Sequence, residues 1–153
     1  MGSTSHLVML VDTHTHLDAV ARAGGLPGLI ARAKAADVAW MIAVGTAPDD
    51  WDLYRELSRD NRDCIRHTIG LHPCSVDEGW EDAVAKIEGH WSAASPMPPV
   101  ALGECGLDTF HLPKEPGAAA RAYDVQRAAF RAQLGIARTL GCPVVIHSRG
   151  AFA

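Results

Sequence analysis

The sequence predicts an α/β fold built on a parallel sheet, and three observations lead there. Short apolar, β-branched runs alternate with longer stretches of helical periodicity along the chain. Most of those runs are continuously apolar rather than alternating, as expected of strands covered on both faces. Residues able to bind a metal or move a proton fall where the runs end, and ligands of parallel α/β folds collect at the carboxyl ends of strands.

Taken in order, "LVMLVD" at residues 7–12 reads as the first strand. In "PGLIARAKAADV", Pro27 suits a helix start and Leu29, Ile30 and Ala33 recur at helical spacing. "AWMIAVGT" is a second strand, and "DDWDLYRELSRDN" a helix carrying Trp51, Leu53, Tyr54 and Leu57 on its apolar side. "IRHTIGLHP" and "EDAVAKIEGHW" give the third strand and helix. "PPVALGECG" is a fourth strand, opened by a proline pair that breaks what precedes it. "TFHLPKEPGAAARAY" reads as one long mobile loop over an active face. "AYDVQRAAFRAQLGIARTLG" is the longest helix, with Gly141 suited to its left-handed terminus, and "CPVVIHSR" is a fifth strand.

Composition narrows the function classes. The 153 residues suffice for a single domain, residues 1–153, and no linker or low-complexity tract divides them. A net charge of −4 argues against a broadly basic nucleic-acid surface, although bound cations can supply positive charge locally. Arg, Asp, Gly or Pro interrupts every apolar run before the ~20 residues a bilayer requires. "MGSTSH" lacks the basic start and apolar core of a signal peptide, so a cytoplasmic setting is expected. Cys64, Cys74, Cys105 and Cys142 form no Cys-x-x-Cys, which disfavours a thiolate zinc knot or a disulfide framework and predicts small buried thiols. There is no Gly-x-Ser-x-Gly elbow and no phosphate-binding glycine loop.

Every strand end except the second carries candidate chemistry. Asp12, His14 and His16 follow the first, His72 the third, Glu104 and Asp108 the fourth, and His147, Ser148 and Arg149 the fifth. His14 and His16, two apart, would leave one face of a strand and converge on one ion. Imidazoles with a carboxylate and no thiolate favour zinc, manganese, cobalt or iron. Glu104 has two oxygens and could bridge two cations, a pair of which can activate water and clamp a phosphoryl or carbonyl oxygen. Arg149 would leave the same side as His147 and could fork onto a phosphate; a solvated or salt-bridged Arg fits the spacing equally.

"DTHTHLD", "IGLHP", "ALGECGLD" and "VVIHSR", in that order, resemble the TatD family of metal-dependent deoxyribonucleases within the amidohydrolase-like superfamily. The likeness runs from about Val11 to Arg149. It implies a (β/α)8 TIM-type barrel, of which this chain would hold the first five or so βα units. It further implies that His14 and His16 hold one divalent ion, that Glu104 bridges and serves catalysis, and that His147 holds a second ion. His72 and Arg149 would face substrate phosphates, and Asp108 would orient a ligand imidazole or a water. The implied reaction is hydrolysis of DNA phosphodiesters, from a 3′ end, by a hydroxide activated by two metal ions; zinc, magnesium, manganese and cobalt are not distinguished.

A barrel of this class takes about 250 residues, so the chain is expected to be part of a longer product or a truncated derivative. The family's later His and Asp ligands have no counterpart in it, which makes weak activity or none the expectation for this chain alone. Two other readings stay open: a non-catalytic metal-binding module that self-associates through an open sheet edge, and an amidohydrolase acting on a small substrate. Glu104, where such amidohydrolases often use a modified lysine, argues against the latter.

Overall fold

The computed structural model describes residues 9–93 and 96–151. Five strands, β1 (Leu10–Thr15), β2 (Val38–Ala43), β3 (Ile65–Ile69), β4 (Ala101–Asp108) and β5 (Val144–Arg149), pair in parallel in the order in which they occur. That order has no reversal point, which separates it from doubly wound sheets and suits progressive curling into a barrel. The sheet forms a curled half-barrel with helices packed against it. Leu7 and Val8, expected in the first strand, lie outside the described residues.

The crossovers are helical: α1 (Asp18–Arg22) and α2 (Leu26–Ala35), then α3 (Pro48–Asp60), then α4 (Trp80–Ala85) and α5 (Ile87–Ala93), then α6 (Pro116–Leu140). Two apolar clusters join helices to sheet. Leu26, Met41, Ala43, Tyr54 and Ile65 make one, and Trp51, Ile69, Ile87, Leu102, Cys105 and Ala137 belong to the other.

Several expectations are corrected. The stretch from Thr109 is a loop only as far as Glu115, because the Glu115 carboxylate accepts from the Gly117 and Ala118 amides and Pro116 follows at a first-turn position. The Ala-rich segment after it then propagates as helix. The third helix is interrupted at Lys86 and forms two short pieces, and the short α1 was not anticipated. Nor are all strands covered on both faces. In the described residues β1 and β5 each pair on one side only, and Leu10 and Val11 (51% each) and Ile146 (59%) are exposed. Finally, Cys64 and Cys105 are buried as expected, but Cys142 is only half-buried and Cys74 is exposed.

Candidate metal centre

Glu104 is the centre of the site, and the backbone around it explains its position. Gly103 and Gly106 take φ values of +130° and +149°, which L side chains rarely adopt. A Cβ at Gly106 would also run into the carbonyl oxygen of His147 on the neighbouring strand. β4 therefore lies close against β5 on either side of Glu104. The Glu104 amide donates to the Gly45 carbonyl over 2.7 Å, and the buried Thr68 hydroxyl donates to the Gly103 carbonyl while accepting from the Gly45 amide. The loop after β2 and strands β3 and β4 are thereby held together beneath one carboxylate.

The two oxygens of that buried carboxylate face different imidazoles. Oε2 lies 3.2 Å from His14 Nε2 and 4.0 Å from His16 Nε2. Oε1 lies 2.9 Å from His147 Nδ1 and 3.8 Å from His72 Nε2. Donors sharing one ion at bond lengths of about 2.0–2.2 Å sit roughly 3.0–3.4 Å apart. His14 falls within that spacing, His147 just short of it, and His16 and His72 beyond it.

Asp108 determines what His147 presents to Glu104. The Asp108 side chain is fully buried, and its Oδ2 is 3.0 Å from His147 Nε2. Burial alone would raise its pKa. Hydrogen bonds from the His111 side chain and amide, from His147 and from the Cys74 thiol overcome this and hold the carboxyl well below its usual range. An ionised Asp108 only accepts, so His147 Nε2 donates to it and Nδ1 is the atom left facing Glu104. Either a proton on Nδ1 or a cation joins it to the Glu104 oxygen 2.9 Å away. The donor set fits a divalent ion there.

His72 has the opposite arrangement. Its Nδ1 accepts from the Cys74 amide over 3.1 Å at the start of a short 3₁₀ turn, Pro73–Ser75. Its neutral tautomer therefore carries the proton on Nε2, aimed at the centre. Burial, then the neighbouring His147, lowers the His72 pKa and favours that neutral ring. Helix α6 secures both elements. Buried Gln133 accepts from the Leu71 amide (2.8 Å) and donates to the Leu71 carbonyl (3.1 Å), while Gln126 accepts from the Asp108 amide (3.0 Å).

A profile of the family described as TatD related DNase matches residues 11–153. The chain belongs to the TatD-related DNase family. It is 35% identical over 144 residues to the uncharacterized metal-dependent hydrolase YabD of Bacillus subtilis, covering 94% of this chain and 52% of that protein. It is 35% identical over 126 residues to the 3′-5′ ssDNA/RNA exonuclease TatD of Pectobacterium carotovorum, covering 80% and 44%. The crystal structure of YjjV, a TatD homologue from Escherichia coli, superposes with a TM-score of 0.80 at 25% identity, covering 94% of this chain and 52% of that one. The chain thus spans about half the length of the curated relatives it matches.

Of the residues singled out on this TatD-family sequence, His14, His16, His72, Glu104, Asp108 and His147 converge. Asp12 turns to its own strand, accepting from the His14 amide over 3.1 Å. Arg149 stands at the rim, its guanidinium stacked 4.0 Å from the centroid of the exposed Phe110 ring. The second strand, expected to contribute nothing, does contribute. After β2, Thr46 donates from its amide (2.9 Å) and hydroxyl (2.7 Å) to Asp50, and both line a cleft of about 330 Å³ with His16, Asp18, Tyr54 and His72. Burial, opposed by the Thr46 bonds, raises the Asp50 pKa. His111 was also missed, although its place three residues after Asp108 matches the return of a tight turn; its amide donates to Asp108 Oδ1 over 3.0 Å.

Proposed function

We propose that this chain provides the ion-binding half of a metal-dependent phosphodiesterase acting on nucleic-acid 3′ ends, DNA above all. The convergence of His14, His16, His72 and His147 on the two oxygens of the buried Glu104 carboxylate carries the reading, because such a set of nitrogen and oxygen donors would hold a divalent cation. The 3′-5′ exonucleases among its relatives supply the substrate class. His14 and His16 would hold one ion on Oε2 of Glu104, and His147 a second on Oε1. Bound there, such ions supply Lewis-acid activation of water and neutralise phosphoryl charge.

The chain's own groups do the rest. Glu104 fixes the spacing of the two positions, and Asp108 keeps the His147 lone pair turned inward. His72 donates its Nε2–H to a non-bridging phosphate oxygen, and Arg149 offers a planar fork to a neighbouring phosphate while Phe110 presents a face to a base. Described helices include none long and apolar enough to cross a membrane, and we place the reaction in the cytoplasm.

The test is release of nucleotides from a 3′-labelled single-stranded oligodeoxynucleotide with manganese, cobalt, zinc or magnesium. Turnover that stops with chelator and in Glu104→Gln supports the proposal. Hydrolysis of small amides or lactones with none of DNA would replace it with the amidohydrolase reading. A second reading, a metal-binding module that self-associates through β1 or β5, is favoured by the exposed Leu10, Val11 and Ile146. Metal binding without turnover, together with a dimer in sedimentation, would establish that reading instead.

A further inference from the structure

A second cluster of donors lies beside the centre and uses a different chemistry. Cys74 comes from the turn after β3, and Asp108 and His111 from the end of β4 and the loop beyond it. Cys74 Sγ is 3.5 Å from Asp108 Oδ2 and 3.5 Å from His111 Nδ1, and the last two atoms are 2.9 Å apart. With bonds of about 2.3 Å to sulfur and 2.0–2.1 Å to nitrogen or oxygen, a tetrahedral zinc ion spaces sulfur from either partner by roughly 3.5 Å. The sulfur edges thus already have the length such an ion sets, and the remaining edge needs only a slight opening. The Asp108 carboxylate is fully buried, whereas Cys74 and His111 are exposed, so the fourth position opens to water.

We propose that Cys74, Asp108 and His111 form a separate site for a thiophilic divalent cation of the zinc class. Thiolate with imidazole and carboxylate selects zinc, cobalt or cadmium over magnesium and calcium. It also distinguishes this site from the Glu104 centre, whose donors are nitrogen and oxygen alone. The proton balance is simple. The thiol proton of Cys74 goes to solvent, and the His111 proton moves from Nδ1 to Nε2 through water, freeing the Nδ1 lone pair; one proton is released per ion. Asp108 keeps its bond from His147 Nε2, since a carboxylate oxygen has a second lone pair.

Cobalt(II) is the probe, because a thiolate ligand produces a near-ultraviolet charge-transfer band that imidazoles and carboxylates do not. Titrating the reduced full chain with cobalt(II) should fill the Glu104 centre without that band and the cysteine site with it. The band should vanish in Cys74→Ser, weaken or vanish in His111→Ala, and persist in Glu104→Gln, with far-ultraviolet dichroism unchanged in each. Absence of the band in the unaltered chain overturns the proposal. So does its survival in Cys74→Ser, which would assign it to another cysteine, or its loss in Glu104→Gln, which would assign the thiolate to the main centre. The readout needs no turnover, so it stands or falls apart from the nuclease reading.

Discussion

Replacing Asp108 by Asn removes one charge and almost no volume, so it isolates what the carboxylate does. Asp108 receives the His111 amide on Oδ1, and His147 Nε2, His111 Nδ1 and the Cys74 thiol on Oδ2. Asn offers one oxygen and one NH2, and neither orientation satisfies those donors. With oxygen toward His147, the NH2 opposes the His111 amide and leaves a buried donor unpaired, at about 1–3 kcal/mol. With NH2 toward His147, that ring must accept on Nε2 and carry its proton on Nδ1, where it fills the space an ion would occupy beside Glu104. Altering a group that orients a metal ligand in this way typically lowers affinity about 10–100-fold. Urea denaturation without metal and a competitive chelator titration read the two effects separately. The acid limb should also change. Asp108 is held below its usual pKa, so its contribution to stability is present above the ordinary carboxylate range and is lost as pH falls toward the depressed folded value. The Asp108→Asn variant, with no carboxyl to protonate there, would lack that loss. Unchanged metal affinity and unchanged stability together would refute the tautomer argument.

Because both proposed ion positions share Glu104, Glu104→Gln should weaken both in one equilibrium-dialysis measurement, whereas His14→Ala should weaken only one. Equal losses in the two variants would contradict a bridging role. Buried His67, 3.0 Å from the Ser58 hydroxyl, has its pKa pushed down to about 4, first by burial and then by the Arg55 charge. The unfolded chain takes up this proton near pH 6.5 and the folded chain does not, so stability should fall between about pH 6.5 and 4 by an amount on the order of 3 kcal/mol. His67→Leu should flatten that slope; an unaltered slope would place the titration elsewhere. Gly106→Ala should cost at least about 1–3 kcal/mol from backbone strain alone. It should also separate β5 from β4, detectable as a lowered melting temperature with weakened metal binding.

The chain was most legible where one residue type could do one job. His14, His16, Glu104 and His147 stand in strands or just beyond them with nothing apolar to do there, and the alternation of runs was enough to order the strands. Legibility failed where a residue's role depended on a partner distant in sequence. Gln126 and Gln133 look like surface residues on an amphipathic helix; they are buried only because unpaired backbone groups of Leu71 and Asp108 face them. Cys74 reads as a small buried thiol until the turn at Pro73 brings it outward, against Asp108 and His111. Thr46 reads as the end of the second strand and Asp50 as part of the next helix; β2 instead ends at Ala43, and the turn between it and α3 opens onto the cleft. The start of α6 was missed for a different reason. Pro and Gly at its head mimic a loop, and a Glu at the cap is a weaker signal than Ser, Thr, Asp or Asn.

Curvature links the fold to the site. β1 and β4 are three steps apart in the sheet, and neighbouring strands lie about 4.8 Å from one another, so a flat sheet would hold them roughly 14 Å apart. Yet His14 Nε2 from β1 is 3.2 Å from Glu104 Oε2 on β4. Only a sheet curled toward its inner face brings those tips together, and the glycines at 103 and 106 allow β4 the backbone this needs. The dependence runs both ways. A cation pulling His14 and Glu104 together would act as a strut across the concave side, on β1, which among the described residues pairs along one edge only and is freer to splay than β2 or β3. Metal binding should then protect the amides of β1 from hydrogen exchange more than those of β2 or β3, which are paired on both sides. Protection spread evenly over the sheet would mean that the curl is set by packing alone and that the ion merely finds it.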